Sequence, residues 1–451
     1  MSKQLKLTAG HPGKLLLRFA LPLMLGNVFQ QLYTVVDTAI VGKGVGMDAL
    51  AALGTVDWFN WMFIGIAQGF TQGFSVQMAQ KFGQGDIAGL KKSVGNSLRL
   101  TIWIGIIMTV IAQLGVGHFV QLLGTPPQLQ GMAVLYVRVL FAGIPAMLFY
   151  NFCASILRAV GNSKTPLYAM VAAAVTNIVL DCLAVFVLDW GIAGAAAATV
   201  FAQIVSGMIC AVKIWNTPEL RFGRSDLILD KSNARRLMRL GVPIALYNIV
   251  IAVGGMAVQS VVNRFETSFI AGFTSSNKLY GVLEIAALSY GYAVTTYTGQ
   301  NYGASEWDRI KKGARWALII SLATSAVIAA VMILLGRPIT MLFISTESPQ
   351  LAAAAGEVAY TYLLVMSVAL PVLYCLYVYR SALQGMGNTR IPLISGILEF
   401  AARVGSAMIL SVTGWQMGLY FVEPLAWISA ATLLGAAYYY YAARLGISST
   451  I

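Results

Sequence analysis

Charge is what this chain has least of. Asp, Glu, Lys and Arg make up 10% of its 451 residues, whereas a water-facing domain carries about a quarter, so an ordinary soluble surface is excluded. Histidine is scarcer still. His11 and His118 stand alone in the sequence, which leaves no histidine pair for a metal site or a proton relay. The four cysteines, Cys153, Cys182, Cys210 and Cys375, sit in apolar stretches without metal-type spacing and read as small apolar fillers. Neither HExxH nor GxSxG occurs, and no convincing nucleophile and base pair is offered, so an enzyme is not expected.

What is present is apolar: 58% of the residues, with a mean hydropathy of +0.75. The composition predicts an all-α integral membrane protein. Runs of about 20 apolar residues cross roughly 30 Å of hydrocarbon as helix. Twelve such spans fit, beginning near 15, 50, 95, 132, 166 and 191, then near 240, 276, 314, 355, 391 and 418. The longest polar stretch is too short for a core of its own. The expected divisions are residues 1–213 for a first lobe of helices 1–6, 214–239 for a cytoplasmic connecting loop and 240–451 for a second lobe of helices 7–12. The opening MSKQLKLTAGHPGK leads into helix 1 with no small-residue cleavage site, so no signal peptide is expected.

The two halves repeat one another. Pro22 and Asn27 return as Pro243 and Asn248, and Gln80, Phe82, Gly83, Lys91 and Lys92 as Gln300, Tyr302, Gly303, Lys311 and Lys312. Tyr136, Pro145, Gly161, Asn162 and Pro166 match Tyr362, Pro371, Gly387, Asn388 and Pro392. Six spans per half is an even number, so both halves enter the membrane from the same side and the repeat is parallel. With the N-terminus inside, Lys and Arg collect at cytoplasmic ends and loops, apart from Lys43, Arg138, Arg264, Lys278, Arg337 and Arg403. That asymmetry predicts a multi-pass protein of the cell inner (plasma) membrane with both termini cytoplasmic. Basic loops beside an anionic leaflet also account for the net charge of +13, without a nucleic-acid partner.

A carboxylate in hydrocarbon costs at least about 2.5 to 3.5 kcal/mol, so each one needs a reason. Asp37 ends helix 1 in YTVVDTAIVG, Asp181 lies in helix 5 in TNIVLDCLAVF, Glu284 is in helix 8, and Glu399 and Arg403 are in helix 11. Asn177 and Asp181 are four apart and share a helix face; Thr176 and Thr199 add hydroxyls nearby. By helical rise, Asp181, Thr199 and Asp37 all fall in the outer half of the layer. Oxygen ligands of this kind suit Na⁺. They suit a proton as well, because two neighbouring carboxylates do not both ionise cheaply in low dielectric. The residues leave that choice open. No other metal and no cofactor is expected.

Within the repeat, Asp37 maps to Val258, Asn151 to Tyr377, Asn177 to Arg403 and Asp181 to Ala407, so the ligand set belongs to the first half alone. Glu399 and Arg403, four apart, read either as a mutually neutralised interior pair or as substrate or gating residues. Glu284 would bind a cationic substrate or pair with Lys278 or Arg403. Tyr33 joins Glu284, Glu399 and Arg403 as a candidate for substrate contact or gating. Pro22 is the expected hinge of helix 1, with Pro243, Pro145 and Pro371 bending helices 7, 4 and 10. Trp58, Phe59, Trp61, Phe63, Phe70 and Phe74 would line a tolerant apolar cavity or face lipid.

Pro22 with VDTAIVG, ILRAVGNSKTPL with its echo ALQGMGNTRIPL, TNIVLD, and QKFGQGD with QNYGASE occur in order. Together they resemble the multidrug and toxic compound extrusion (MATE) family of prokaryotic type, over essentially the whole chain. The resemblance implies two six-helix lobes facing each other in a V. It implies efflux of varied, often cationic, amphipathic organic compounds in exchange for Na⁺ or H⁺, with a monomer in membrane lipid as the expected state. It also implies a first-lobe cation site at Asp37, Asn151, Asn177, Asp181 and Thr199, of which Asn151 lies nearer the inner face than the rest. Helix 7 has no acid and helix 10 has Glu357 only near its outer end, so no second-lobe coupling site is implied. The alternative is a flippase for a lipid-linked glycan or cell-wall precursor. It would need several cavity cations for pyrophosphate, and Arg403, Arg138 and Lys278 are those on offer.

Overall fold

A computed structural model describes residues 6–122, 125–341, 344 and 349–445, and they are almost entirely helical. The first half holds α1 (Pro12–Gly44), α2 (Met47–Gln84), α3 (Ile87–Leu122), α4 (Pro127–Ala142), α5 (Ile144–Ala159), α6 (Lys164–Cys182) and α7 (Gly191–Trp215). The second holds α8 (Lys231–Val262), α9 (Thr267–Gly303), α10 (Trp307–Met341), α11 (Pro349–Gly385), α12 (Arg390–Thr413) and α13 (Val422–Arg444). A π-helical turn, Leu183–Val187, follows α6, and a 3₁₀ turn, Gln416–Phe421, leads into α13.

α4 and α5 meet at Gly143 with a bend of 44°. Pro145 stands in the first turn of α5, where a missing N–H costs no helical bond, so it marks a break in what the sequence reads as one span. Pro22, Pro243 and Pro371 lie inside helices that run on past them.

Among the described residues nine helices are long and apolar enough to cross a membrane, or ten with the bent pair counted as one span. α2 and α9 fall outside that set although they are 38 and 37 residues long. Their C-terminal halves are polar and buried: Thr71, Gln77 and Gln80 on α2, and Thr295, Thr296, Thr298, Gln300 and Asn301 on α9. Packing against protein rather than lipid removes the need for a continuous apolar run.

The chain forms two compact units, one of Met1–Leu7 with Arg18–Asn248 and one of Thr8–Leu17 with Ile249–Ile451. The seam between these compact units falls inside α1 and α8. The reason is close packing of α8 within the first unit. A Cβ on Gly69 or Gly73 of α2 would run into the backbone of Ala245 or Gly241, and Gly65 faces Asn248. Small residues at four-residue spacing let two helix backbones touch. Reciprocally, in the second unit Gly10 accepts a hydrogen bond from Arg309 (3.0 Å), and His11 packs edge-on to Trp316 of α10.

The first unit's core takes up most of the aromatic residues of α2. Phe59 stacks on Phe119 at 4.7 Å, Phe63 meets Phe141 at 4.5 Å, and Phe74 is fully buried. Trp61 is exposed, and the side chain of Trp58 lies outside the described set. Phe59, Phe63 and Phe74 are packing elements rather than cavity walls. Cys153 and Cys210 are buried in the same core.

The connector before α8 is fastened to α3. Asn96, with no exposed surface, donates to the carbonyls of Asp226 (3.2 Å) and Ile228 (3.1 Å) and accepts from the Asp230 N–H (2.8 Å). Lys92 pairs with Asp230 at 2.5 Å, and that carboxylate also caps α8 through the Asn233 N–H. The Lys92 ammonium and this cap hold the Asp230 carboxyl below the usual range. Asn96→Ala removes the partner of three part-buried backbone groups, a loss of at most about 1 kcal/mol each. The expected result is a lower melting temperature with faster protease cleavage between residues 217 and 230; cleavage at the wild-type rate would contradict the fastening.

Candidate functional site

α1 and α6 lie side by side and parallel within the first unit. Gly26 of α1 abuts Leu167 and Met170 of α6, and Gly44, at the end of α1, abuts Val185 and Phe186 of the π-helical turn. Glycine at these two positions sets the close approach, and the register follows from it. Asp37 comes eleven residues after Gly26, and Asp181 eleven after Met170, so the two acids arrive at one level. Both are buried, and their carboxyls are within hydrogen-bonding reach of each other. Asp37 lies within α1, which continues to Gly44, rather than at the helix end. Asp181 sits just before the π-helical turn, an irregularity common at functional sites.

Asn177, one turn before Asp181, is fully buried and donates to Thr199 Oγ1 of α7 at 3.4 Å. Thr199 in turn donates to the carbonyl of Ala195 at 3.2 Å. What the pocket lacks is a donor. Asp37 Oδ1, Asn177 Oδ1 and both carboxyl oxygens of Asp181 are buried without a hydrogen-bond partner among the described residues. Four buried acceptors left without a donor are costly unless a positive charge or a proton meets them. Donors of this type, carboxylate and amide oxygens, fit Na⁺ as well as a proton.

The remaining predicted ligand behaves differently. Asn151 of α5 turns its amide to its own helix, donating to Met147 O at 2.9 Å, and no described contact brings it to the acids. The structure also brings Tyr136 of α4 near the acids, a residue that in the sequence served only as a marker of the repeat. Buried Tyr136 and half-buried Tyr33 lie within electrostatic reach of both Asp37 and Asp181. The available signal was its place in the repeat, where Tyr136 matches Tyr362.

The second unit has its own polar cluster, with its members on different helices. Arg403 of α12 reaches Glu399 and Glu423, each at 2.8 Å, with both glutamates mostly buried. Glu423 opens α13 and was not singled out, because an acid in a first turn reads as a helix-end residue. Glu284 of α9 accepts from the Tyr377 hydroxyl, and Arg380 lies over the Tyr377 ring at 4.0 Å. The pairing of Glu284 with Lys278 or Arg403 is thus replaced by one with tyrosine, since α9 and α11 pack closely along their length. Glu357 pairs with Arg337 at the surface, at 3.1 Å.

The two clusters occupy matching places in the repeat. Tyr377 and Arg403 are the counterparts of Asn151 and Asn177, and Tyr362 lies near Glu423 and Arg403 as Tyr136 lies near the aspartates.

Comparison with known proteins follows the same lines. A family model described as MatE matches residues 22–183 and 243–409, one block in each half, beginning at the paired prolines. The chain is 30% identical to the probable multidrug resistance protein YoeA of Bacillus subtilis, over 73% of each chain. It is 29% identical to the probable multidrug resistance protein YpnP of the same organism, over 87% of each. In fold it resembles a MOP superfamily transporter from Pyrococcus furiosus, with a TM-score of 0.91, 24% identity and 99% of each chain covered.

Proposed function

This chain belongs to the MatE family, a multi-pass membrane protein, and from that premise we propose that it is a secondary active multidrug efflux transporter. It exchanges H⁺ or Na⁺ for cationic, amphipathic organic compounds by alternating access. The relatives named as probable multidrug resistance proteins support multidrug efflux. We read the helices as twelve spans, with α4 and α5 as one, in two parallel six-helix repeats whose basic loops face the cytoplasm.

The observation that carries the exchange is the donorless pocket of Asp37, Asn177 and Asp181. Asp37, Asn177 and Asp181 would hold a Na⁺ ion, which supplies positive charge to the acceptors. A proton shared between a carboxyl oxygen of Asp37 and one of Asp181 does the same. Either way α1 and α6 are drawn together when the pocket is filled and repel when it is empty and charged. Pro22, fifteen residues before Asp37 on the same helix, is where α1 would bend in response. Coupling follows if the ion and the drug prefer opposite conformations.

The test is efflux from proteoliposomes with Na⁺ and pH gradients imposed separately. Drug movement is expected against a gradient of one of the two ions and absent without either. Gradient-independent flux would remove the exchange reading. The flippase alternative is weakened by the ion pairs of Arg403, whose charge is already met by Glu399 and Glu423.

A further inference from the structure

In the second unit, the basic end of α10 and the end of α13 enclose a cleft of about 500 Å³, lined by Lys311, Arg315, Leu318, Tyr438, Tyr439 and Ala442. Lys311 and Arg315 are four apart, so they share one face of α10 and repel each other. Both are exposed, and neither has an ion pair among the described residues. The acids of that turn, Glu306 and Asp308, do not line the cleft. Two cations at the mouth and an aromatic and aliphatic wall beneath them make an amphipathic site.

The first unit provides an internal comparison. Continuing the repeat from the Lys91–Lys311 and Lys92–Lys312 matches pairs Gly95 with Arg315. At Gly95 the chain covers itself: a Cβ there would collide with the Asp226 carbonyl, and Asn96 fastens the segment from 226 to 230. The glycine admits the connector. In the second unit the matching face carries arginine instead, and among the described residues the groove stays open and positively charged.

We propose that this cleft binds an anionic phospholipid of the leaflet next to the basic loops. The phosphate sits between Lys311 and Arg315, and an acyl chain lies along Leu318, Tyr438 and Ala442. The lipid is favoured over a soluble anion because the wall below the cations is apolar, and α10 continues from it into exposed Ile319 and Leu322, a surface suited to hydrocarbon. Basic residues at a membrane surface favour anionic over zwitterionic lipid.

The test is native mass spectrometry of the purified full-length protein with phosphatidylglycerol or phosphatidylethanolamine of identical chains. Wild type is expected to retain phosphatidylglycerol up to about thirtyfold more strongly, given two cations. Lys311→Gln/Arg315→Gln should retain the two lipids equally, while Lys311→Arg/Arg315→Lys keeps the preference. Arg224→Gln/Lys231→Gln, neutralised elsewhere, should keep it too. Equal retention of both lipids by wild type, or an undiminished preference in the double glutamine variant, overturns the proposal. So does displacement of the lipid by millimolar inorganic phosphate, which would mark a free-anion site.

Discussion

Asp37→Asn and Asp181→Asn each reduce drug efflux to the level of vesicles without transporter, while the protein is made and folded at wild-type levels. The substitution keeps shape and volume but removes the charge that changes when the pocket is filled. An amide also brings N–H groups into a space where Asp37 Oδ1, Asn177 Oδ1 and both Asp181 oxygens lack a donor, so the variants melt at the wild-type temperature or above it. Stability and transport therefore move in opposite directions, which a merely structural pair would not do. Because the acids act as one unit, the double variant should be no worse than either single variant. Normal efflux by either single variant would remove the pocket from the mechanism.

Arg403→Ala, by contrast, acts on folding. It leaves Glu399 and Glu423 buried side by side with no guanidinium between them, and breaking a buried pair in this way costs about 3 to 5 kcal/mol. Most of the protein should be lost as aggregate on size exclusion, and the remainder should melt well below wild type. Adding Glu399→Gln and Glu423→Gln to the same variant should restore much of the melting temperature, because the stranded charges are gone. If Arg403→Ala melts like wild type, the triad is not a structural tie, and the substrate or gating reading of Arg403 regains its place.

These two clusters illustrate how far a single chain can be read. Asn177 and Asp181 could be put on one face by spacing alone, and Glu399 with Arg403 likewise, because four residues make about one helical turn whatever the surroundings. Contacts between helices have no such rule. Glu423 joins Arg403 from the next helix, Tyr377 reaches Glu284 from two helices away in sequence, and Asn151 turns back on its own backbone. The comparison of the halves was informative in a different way. No ligand of the first cluster is copied, yet the positions of Asn151 and Asn177 carry Tyr377 and Arg403, which build the second cluster. Duplication kept polar residues at these positions while their chemistry diverged.

By itself the sequence determined the membrane environment, the duplication and the face-sharing pairs, since each follows from composition or from a fixed helical period. Only the tertiary structure decided that Asp37 meets Asp181, that the unit boundary runs through α1 and α8, and that the span around Gly143 is broken. Those outcomes depend on which helix backbones approach closely. Glycines such as Gly26, Gly44, Gly69 and Gly73 permit the approach, but a glycine does not name its neighbour until the helices have packed.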